Sequence, residues 1–402
     1  MRTNFILLLL CCALGTVTSY SNSIQCKDEN GKNVDWYVLY KLPKISESSN
    51  PLIRDGVSYL YMTNSTVGDG WKLSKRSVES VQSMPGQTLA LLYKDNVAKK
   101  SAWIMYNDQP PNKSVSIKYG HTKGVVMANE DQGFWLVHSV PNYPPQPDTG
   151  VEKKCKSSTT DDCSFDSNAF LHGEYSYPSS GKNNGQSFLC ISIGGAQMRG
   201  IAEQLIYNQI ISYRYNVPRE LPQYSFLVNA AQRPRIKGPP YFRKEVLRTV
   251  GGSQFISFAK ADKWQKDLYD DLVAPQLQTD MLAETWRNGR GKLPSECNGT
   301  KVYNVQSVVL GAANVEFKSS RDHSKWAVAV DSKKNKNWVC IGDINRADTQ
   351  FNRGGGTVCL NSPDLWRSYR NSVNDIEPCP RKRGFIQRIK DSFEHLFYKS
   401  EN

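Results

Sequence analysis

The alternation of apolar and polar residues divides the chain into short runs. Seven have the length and the β-branched or aromatic enrichment of strands: "DWYVLYKLP" (35–43), "SYLYMT" (58–63), "TLALLYK" (88–94), "AWIMYND" (102–108), "GVVMA" (124–128), "FWLVHSV" (134–140) and "SFLCISI" (187–193). Two stretches have helical spacing instead. "RGIAEQLIYNQI" (199–210) is amphipathic, and "SFAKADKWQKDLYDDLVAP" (257–275) carries Trp264, Leu268 and Leu272 four residues apart, with Pro275 as a stop. Strands interleaved with helices predict an α/β protein with mixed β-sheets. "PNYPPQPDTGVEKKCKSSTTDDCS" (141–164) and "SYPSSGKNNGQS" (176–187) read as loops.

The two ends differ from this pattern. "FILLLLCCALG" (5–15) is too short to cross a bilayer and is followed by the small residues Val17 and Ser19. Residues 1–19 are therefore expected to be a secretory signal peptide. No later apolar run is long enough to span a membrane. Residues 381–402 form a basic tail whose Phe385, Ile386, Ile389, Phe393, Leu396 and Phe397 mark one face of an amphipathic helix. It is expected to dock on the body, with a nucleic-acid or membrane contact as the alternative.

An exported chain changes how its cysteines are read. Cys11 and Cys12 leave with the leader, and Cys26, Cys155, Cys163, Cys190, Cys297, Cys340, Cys359 and Cys379 remain. An even number in an oxidising route, without a C-x-x-C, points to disulfides rather than a metal site. Cys155 and Cys163 are close enough in sequence to staple their loop locally. Sequons at Asn64, Asn112 and Asn298 fit the same route and are expected to carry glycans. The formal net charge is +13, and loss of Arg2 with the leader leaves +12. That excess favours a polyanionic partner, nucleic acid or an anionic membrane surface. The roughly 380 remaining residues suffice for two subdomains.

A repeat supports that division. "GHTKG" holds His121 and Lys123; "DHSKW" holds His323 and Lys325, 202 positions later. The likeness continues into "WLVHSVPN" (135–142) and "WVCIGDIN" (338–345), each with an Asn seven positions after its Trp, Asn142 and Asn345. The interval from His to Trp is 14 residues in one copy and 15 in the other. A half-chain repeat of this kind predicts two pseudo-symmetric α/β subdomains, 20–210 and 211–380, each with one His-x-Lys.

On an extended segment, residues i and i+2 share a face, so each imidazole lies beside an ammonium group. A pseudo-twofold axis would bring both pairs into one pocket. Such a crowd of cations makes sense around a phosphate. Lys123 and Lys325 would bind its non-bridging oxygens and stabilise the transition state, with Asn142 and Asn345 placed to add hydrogen bonds. One histidine would attack phosphorus; the other would protonate the leaving oxygen and then activate water. The cations lower histidine pKa values, so an acidic optimum follows. No metal and no cofactor is required, because the lysines take the metal's part. The repeat leaves the two histidine roles interchangeable.

Longer words now carry a resemblance. "DWYVLYKLP", "YGHTKGVV", "GFWLVHSVPN", "SFAK" with "DLY", "LPSEC", "DHSKWAV", "WVCIGDINR" and "RGGGTVC" span Cys26 to Cys379. In these the chain resembles the deoxyribonuclease II family, the acid DNases of lysosomes and phagocytic compartments, within the phospholipase D-like superfamily. The resemblance implies a phospholipase D-like fold. It also implies metal-independent endonucleolytic cleavage of double-stranded DNA with little sequence specificity, leaving 3′-phosphate and 5′-hydroxyl ends. It implies pairing of Cys26 with Cys190, Cys297 with Cys379 and Cys340 with Cys359, leaving Cys155–Cys163 as an extra bridge. It marks His138 as functionally important, either orienting a catalytic group or contacting phosphate; a structural hydrogen-bonding role is the other reading. The wider superfamily has an Asp seven residues after each motif histidine. Ala128 and Val330 stand there, with Asp131 and Asp331 only nearby, which weakens a lipase reading more than a nuclease one. The "RGGGT" glycines read as a tight turn more readily than as a phosphate cradle. His172 and His395 lack a motif and read as surface residues.

Two alternatives stand beside the acid DNase: a secreted phosphodiesterase acting on phospholipid or RNA, and a noncatalytic DNA-binding relative. The destination is expected to be the lysosome or the extracellular space. A homodimer is compatible with the resemblance.

Overall fold

The computed structural model describes residues 23–111, 115–147, 151–155, 163–166, 173–332 and 335–379, with only the backbone of 151–155 and 163–166. The leader, the tail 381–402, Asn112, His172, His395 and the sulfurs of Cys155 and Cys163 lie outside the described part. No described helix is long and apolar enough to cross a membrane.

Two sheets carry the α/β fold. The first has ten strands and is antiparallel throughout. The second is mixed through one parallel pair, Met281–Glu284 beside Val302–Leu310. The apolar runs of the sequence supply central strands: Trp36–Lys41, Ala102–Asn107, Lys123–Ala128, Gln132–His138 and Gln186–Gly194 are buried almost end to end. A run with no polar alternation is what a strand covered on both faces requires. Between the sheets lies one apolar layer, shared by Val38, Val126 and Ile191 of the first and Trp326, Val328 and Ile341 of the second. The outer face of the first sheet is covered around Met84, Leu89 and Leu92, that of the second around Tyr269, Leu272 and Leu277.

The repeat is visible in the strand order. Ala102–Asn107, Lys123–Ala128, Gln132–His138 and Gln186–Gly194 are successive antiparallel neighbours in the first sheet. Met281–Glu284, Trp326–Ala329, Trp338–Gly342 and Gly355–Asn361 follow the same pattern in the second. The first sheet also takes Ser212–Asn216, beyond residue 210.

Three local expectations need correction. "TLALLYK" is helical, not a strand. Ser83 accepts the N–H of Gly86 and Pro85 occupies the first turn, so helix Met84–Leu89 starts there and a 3₁₀ turn Ala90–Tyr93 continues it. In 257–275, "SFAK" ends the strand Gln254–Lys260, and a π-helical turn Tyr269–Val273 precedes Ala274–Leu277. Asp267 starts it by accepting the N–H groups of Tyr269 and Asp270, and Pro275 follows the π turn within the same helical run. The loop at 141–164 contains strand Val151–Cys155 and the start of its partner Cys163–Asp166, with Cys155 opposite Cys163 in register. The helix at 199–210 is present as Met198–Tyr207.

Candidate active site at the seam between the sheets

Each motif histidine is docked on a glycine of the other half. The His121 N–H donates to the carbonyl of Gly354 at 2.9 Å, and the His323 N–H to that of Gly185 at 2.9 Å. Neither glycine tolerates a side chain. A Cβ on Gly354 would lie 2.5 Å from the Asn208 carbonyl oxygen, and one on Gly185 2.4 Å from Asp322 Oδ1. The "RGGGT" glycines thus serve close backbone approach beneath His121.

A second crossing contact orients the His121 ring. Its Nδ1 meets the carbonyl oxygen of Asp343 at 2.5 Å. A carbonyl only accepts, so Nδ1 carries the proton and Nε2 holds the lone pair in the neutral ring. His323 is held differently: its ring packs edge-on against Trp286, centroids 3.9 Å apart.

The lysines are buried in the same pocket, at 2% exposure each. Lys123 starts its strand opposite Asn107, which places its Nζ 2.5 Å from Asp108 Oδ1 at the end of the neighbouring strand. Lys325 donates to the His323 carbonyl. Arg353 completes the seam, donating to Asp108 Oδ2 at 3.0 Å and to the carbonyls of Ser116, Tyr119 and Gly120.

The electrostatic surroundings of the two pairs overlap. Burial and then Lys123 hold the His121 imidazole well below its ordinary range; Arg353 and Lys325 add to this and Asp108 opposes it. Burial, Lys325, Lys123 and Lys41 push His323 down to about 2. Each imidazole therefore feels the lysine of the other motif. Burial and Lys123 push Lys325 down to about 7, and burial pushes the Asp343 carboxyl up to about 7. Two neutral imidazoles among cations form a pocket suited to an anion. Among the described residues, no three His, Cys, Asp or Glu side chains converge as metal ligands.

The Deoxyribonuclease II family signature matches residues 25–379. The chain is 36% identical over 379 residues to Plancitoxin-1 of Acanthaster planci, covering 93% of this chain and 98% of that protein. It is 33% identical over 368 residues to Deoxyribonuclease-2-alpha of Mus musculus, covering 89% and 94%. To Deoxyribonuclease-2-beta of Homo sapiens it is 34% identical over 389 residues, covering 94% and 97%. The chain belongs to the deoxyribonuclease II family.

In this deoxyribonuclease II chain the pairs Cys26–Cys190, Cys297–Cys379 and Cys340–Cys359 are all formed. Asn64 and Asn298 stand exposed. The remaining expected site residues make other contacts. His138 is fully buried, with Tyr143 and Phe188 against its ring. Its Nδ1 accepts the Val140 N–H, and burial holds the imidazole well below its usual range. Asn142 donates to the carbonyls of Gln109 and Pro110. Asn345 accepts the backbone N–H of Trp286 at 3.3 Å, and the Trp286 ring packs on His323. Sequence reasoning missed Asp108, Arg353, Asp343 and Trp286.

A buried acid group lies beneath His323. Asp322 accepts from Tyr40 and from Ser324 Oγ, and Glu284 Oε2 accepts from Ser319 at 2.5 Å while its Oε1 has no partner. Burial, then Asp322, raises the Glu284 carboxyl well above its ordinary value. The folded state therefore keeps a proton that the unfolded state releases near pH 4.3. Stability from this group is full below that pH and falls as pH rises towards the folded value. Glu284→Gln keeps the neutral shape without the titration. Its unfolding free energy from urea titration, relative to the unsubstituted protein, should rise between pH 5 and pH 7.5, by up to about 1.4 kcal/mol per pH unit in that window. A difference that does not change with pH would show that Glu284 is ionised in the fold.

Proposed function

We propose that this deoxyribonuclease is an acid endonuclease that hydrolyses DNA phosphodiesters through a phosphohistidine on His121, without a metal. The observation that carries this reading is the convergence of two His-Lys pairs, one from each half, with the His121 tautomer set by the Asp343 carbonyl. The scissile phosphate would sit between Lys123 and Lys325, which neutralise its oxygens. The Nε2 lone pair of His121 attacks phosphorus, the bond from phosphorus to the 5′ oxygen breaks, and His323 gives that oxygen a proton. Water then attacks the phosphohistidine and passes a proton to His323. The products are a 3′-phosphate, a 5′-hydroxyl and the original histidines. Burial and then the lysines keep His323 neutral; a bound phosphate offsets the lysine part, so protonation of His323 and substrate binding support each other. Because His323 must be protonated to act, activity rises as pH falls.

The cations contact phosphate rather than base edges, which favours double-stranded DNA of any sequence. Three disulfides fit the secretory route, and degradation of DNA in lysosomes or phagocytic compartments fits an acid optimum. The test is plasmid nicking at pH 5 in EDTA, with phospholipid and RNA as competing substrates. Nicked DNA whose 5′ ends accept a kinase label without phosphatase treatment is the expected result. A requirement for added magnesium would remove the mechanism, preferential turnover of phospholipid or RNA would favour the phosphodiesterase, and binding without cleavage the noncatalytic relative.

A further inference from the structure

A cluster of exposed cations begins at the lip of the pocket. Tyr119 stands two residues before His121, about 7 Å along an extended chain, and its carbonyl is held by the same Arg353 that holds Asp108. The guanidinium of Arg235 lies 4.3 Å over the Tyr119 ring and donates to the Lys118 carbonyl at 2.7 Å. Lys263 Nζ donates to the Lys237 carbonyl at 3.3 Å. Lys118, Arg235, Lys237 and Lys263 are all exposed.

This group is short of negative charge. Among these contacts the only carboxylate is Asp262, and it is already engaged by Arg235 at 2.7 Å, Gln209 at 2.9 Å and the Lys263 N–H at 2.8 Å. Like charges held near one another repel even in water. The backbone contacts nevertheless keep the chain segments that bear these side chains together. A guanidinium stacked on an aromatic ring is also pre-oriented, so it loses little freedom on meeting an anion.

We infer that Lys118, Arg235, Lys237 and Lys263 form a rim that binds the phosphates of the same DNA strand on the His121 side of the scissile bond. The inference rests on the reading of the pocket as a DNA-cleaving site and names where its substrate continues. The rim reads charge and spacing, not sequence, because it offers cations to the backbone and no group shaped to a base edge.

The test is the salt dependence of kcat/KM on plasmid DNA at pH 5. The combined variant Lys118→Gln, Lys237→Gln and Lys263→Gln alters only exposed side chains. Its plot of log kcat/KM against log salt should be shallower by about 0.9 for each phosphate that the rim no longer neutralises. Lys99→Gln, an exposed lysine paired with Asp95, should keep the unsubstituted slope. An unchanged slope in the triple variant overturns the rim. So does an unchanged slope accompanied by weakened binding to vesicles of anionic phospholipid, which would assign the cluster to a membrane surface. Failure of the unsubstituted protein to cleave DNA at all would instead sink the functional reading.

Discussion

His323→Asn is expected to leave a phosphoryl group stranded on His121. With DNA the variant should lose about 10²–10⁴-fold in turnover, the usual cost of removing a general acid, because a 5′ alkoxide leaves poorly without a proton. A nucleotide 3′-(p-nitrophenyl phosphate) carries a leaving group that needs no acid. His323→Asn should therefore release one equivalent of p-nitrophenol in a burst and then stall, since water also lacks its base. Quenching in alkali, where the phosphorus–nitrogen bond survives, should recover label on His121. His121→Asn should give neither burst nor label. This asymmetry follows from the Asp343 carbonyl, which leaves the His121 lone pair on Nε2, while His323 meets an aromatic edge and three lysines. A labelled His323 in the His121→Asn protein would reverse the assignment.

Asp108→Asn is expected to cost about 3–5 kcal/mol of stability, the usual consequence of stranding a buried ion-pair partner. Asp108 faces Lys123 and Arg353 with 2%, 2% and 8% side-chain exposure. Burial alone would raise its carboxyl, yet Lys123 and Arg353 hold it well below the carboxylate range. A depressed carboxyl contributes fully above its unfolded value, near 3.9, and the contribution fades as pH falls through the folded value. The seam therefore stays locked at the acidic pH where the enzyme works. Urea midpoints should show a constant gap between the two proteins from pH 7 to pH 5 and a shrinking gap below pH 4. Equal midpoints at pH 5 would mean that the ion pairs hold nothing together.

The repeated His-x-Lys was legible because it is local: four residues in two short words, each leading into a strand whose apolar run marks it as buried. The partners were not legible. Asp108 and Arg353 are 245 positions apart, and His121 and Asp343 are 222 apart. Nothing in either neighbourhood distinguishes those acids and that arginine from surface residues. Asn142 and Asn345 share a place in the repeat but not their contacts. In the structure one ties a loop and the other supports Trp286. "TLALLYK" was misread because a seven-residue apolar run fits a strand and a buried helix equally, and the decisive signal, Ser83 and Pro85, lies just before it.

The exchange of glycine carbonyls between halves has a consequence for biosynthesis. During synthesis His121 and Lys123 emerge long before Asp343, Arg353 and Gly354, on which the histidine's backbone, ring and lysine depend directly or through Asp108. A growing chain therefore carries one His-Lys pair without the partners that hold it in place. Competence arrives only when the last strands fold back across the seam.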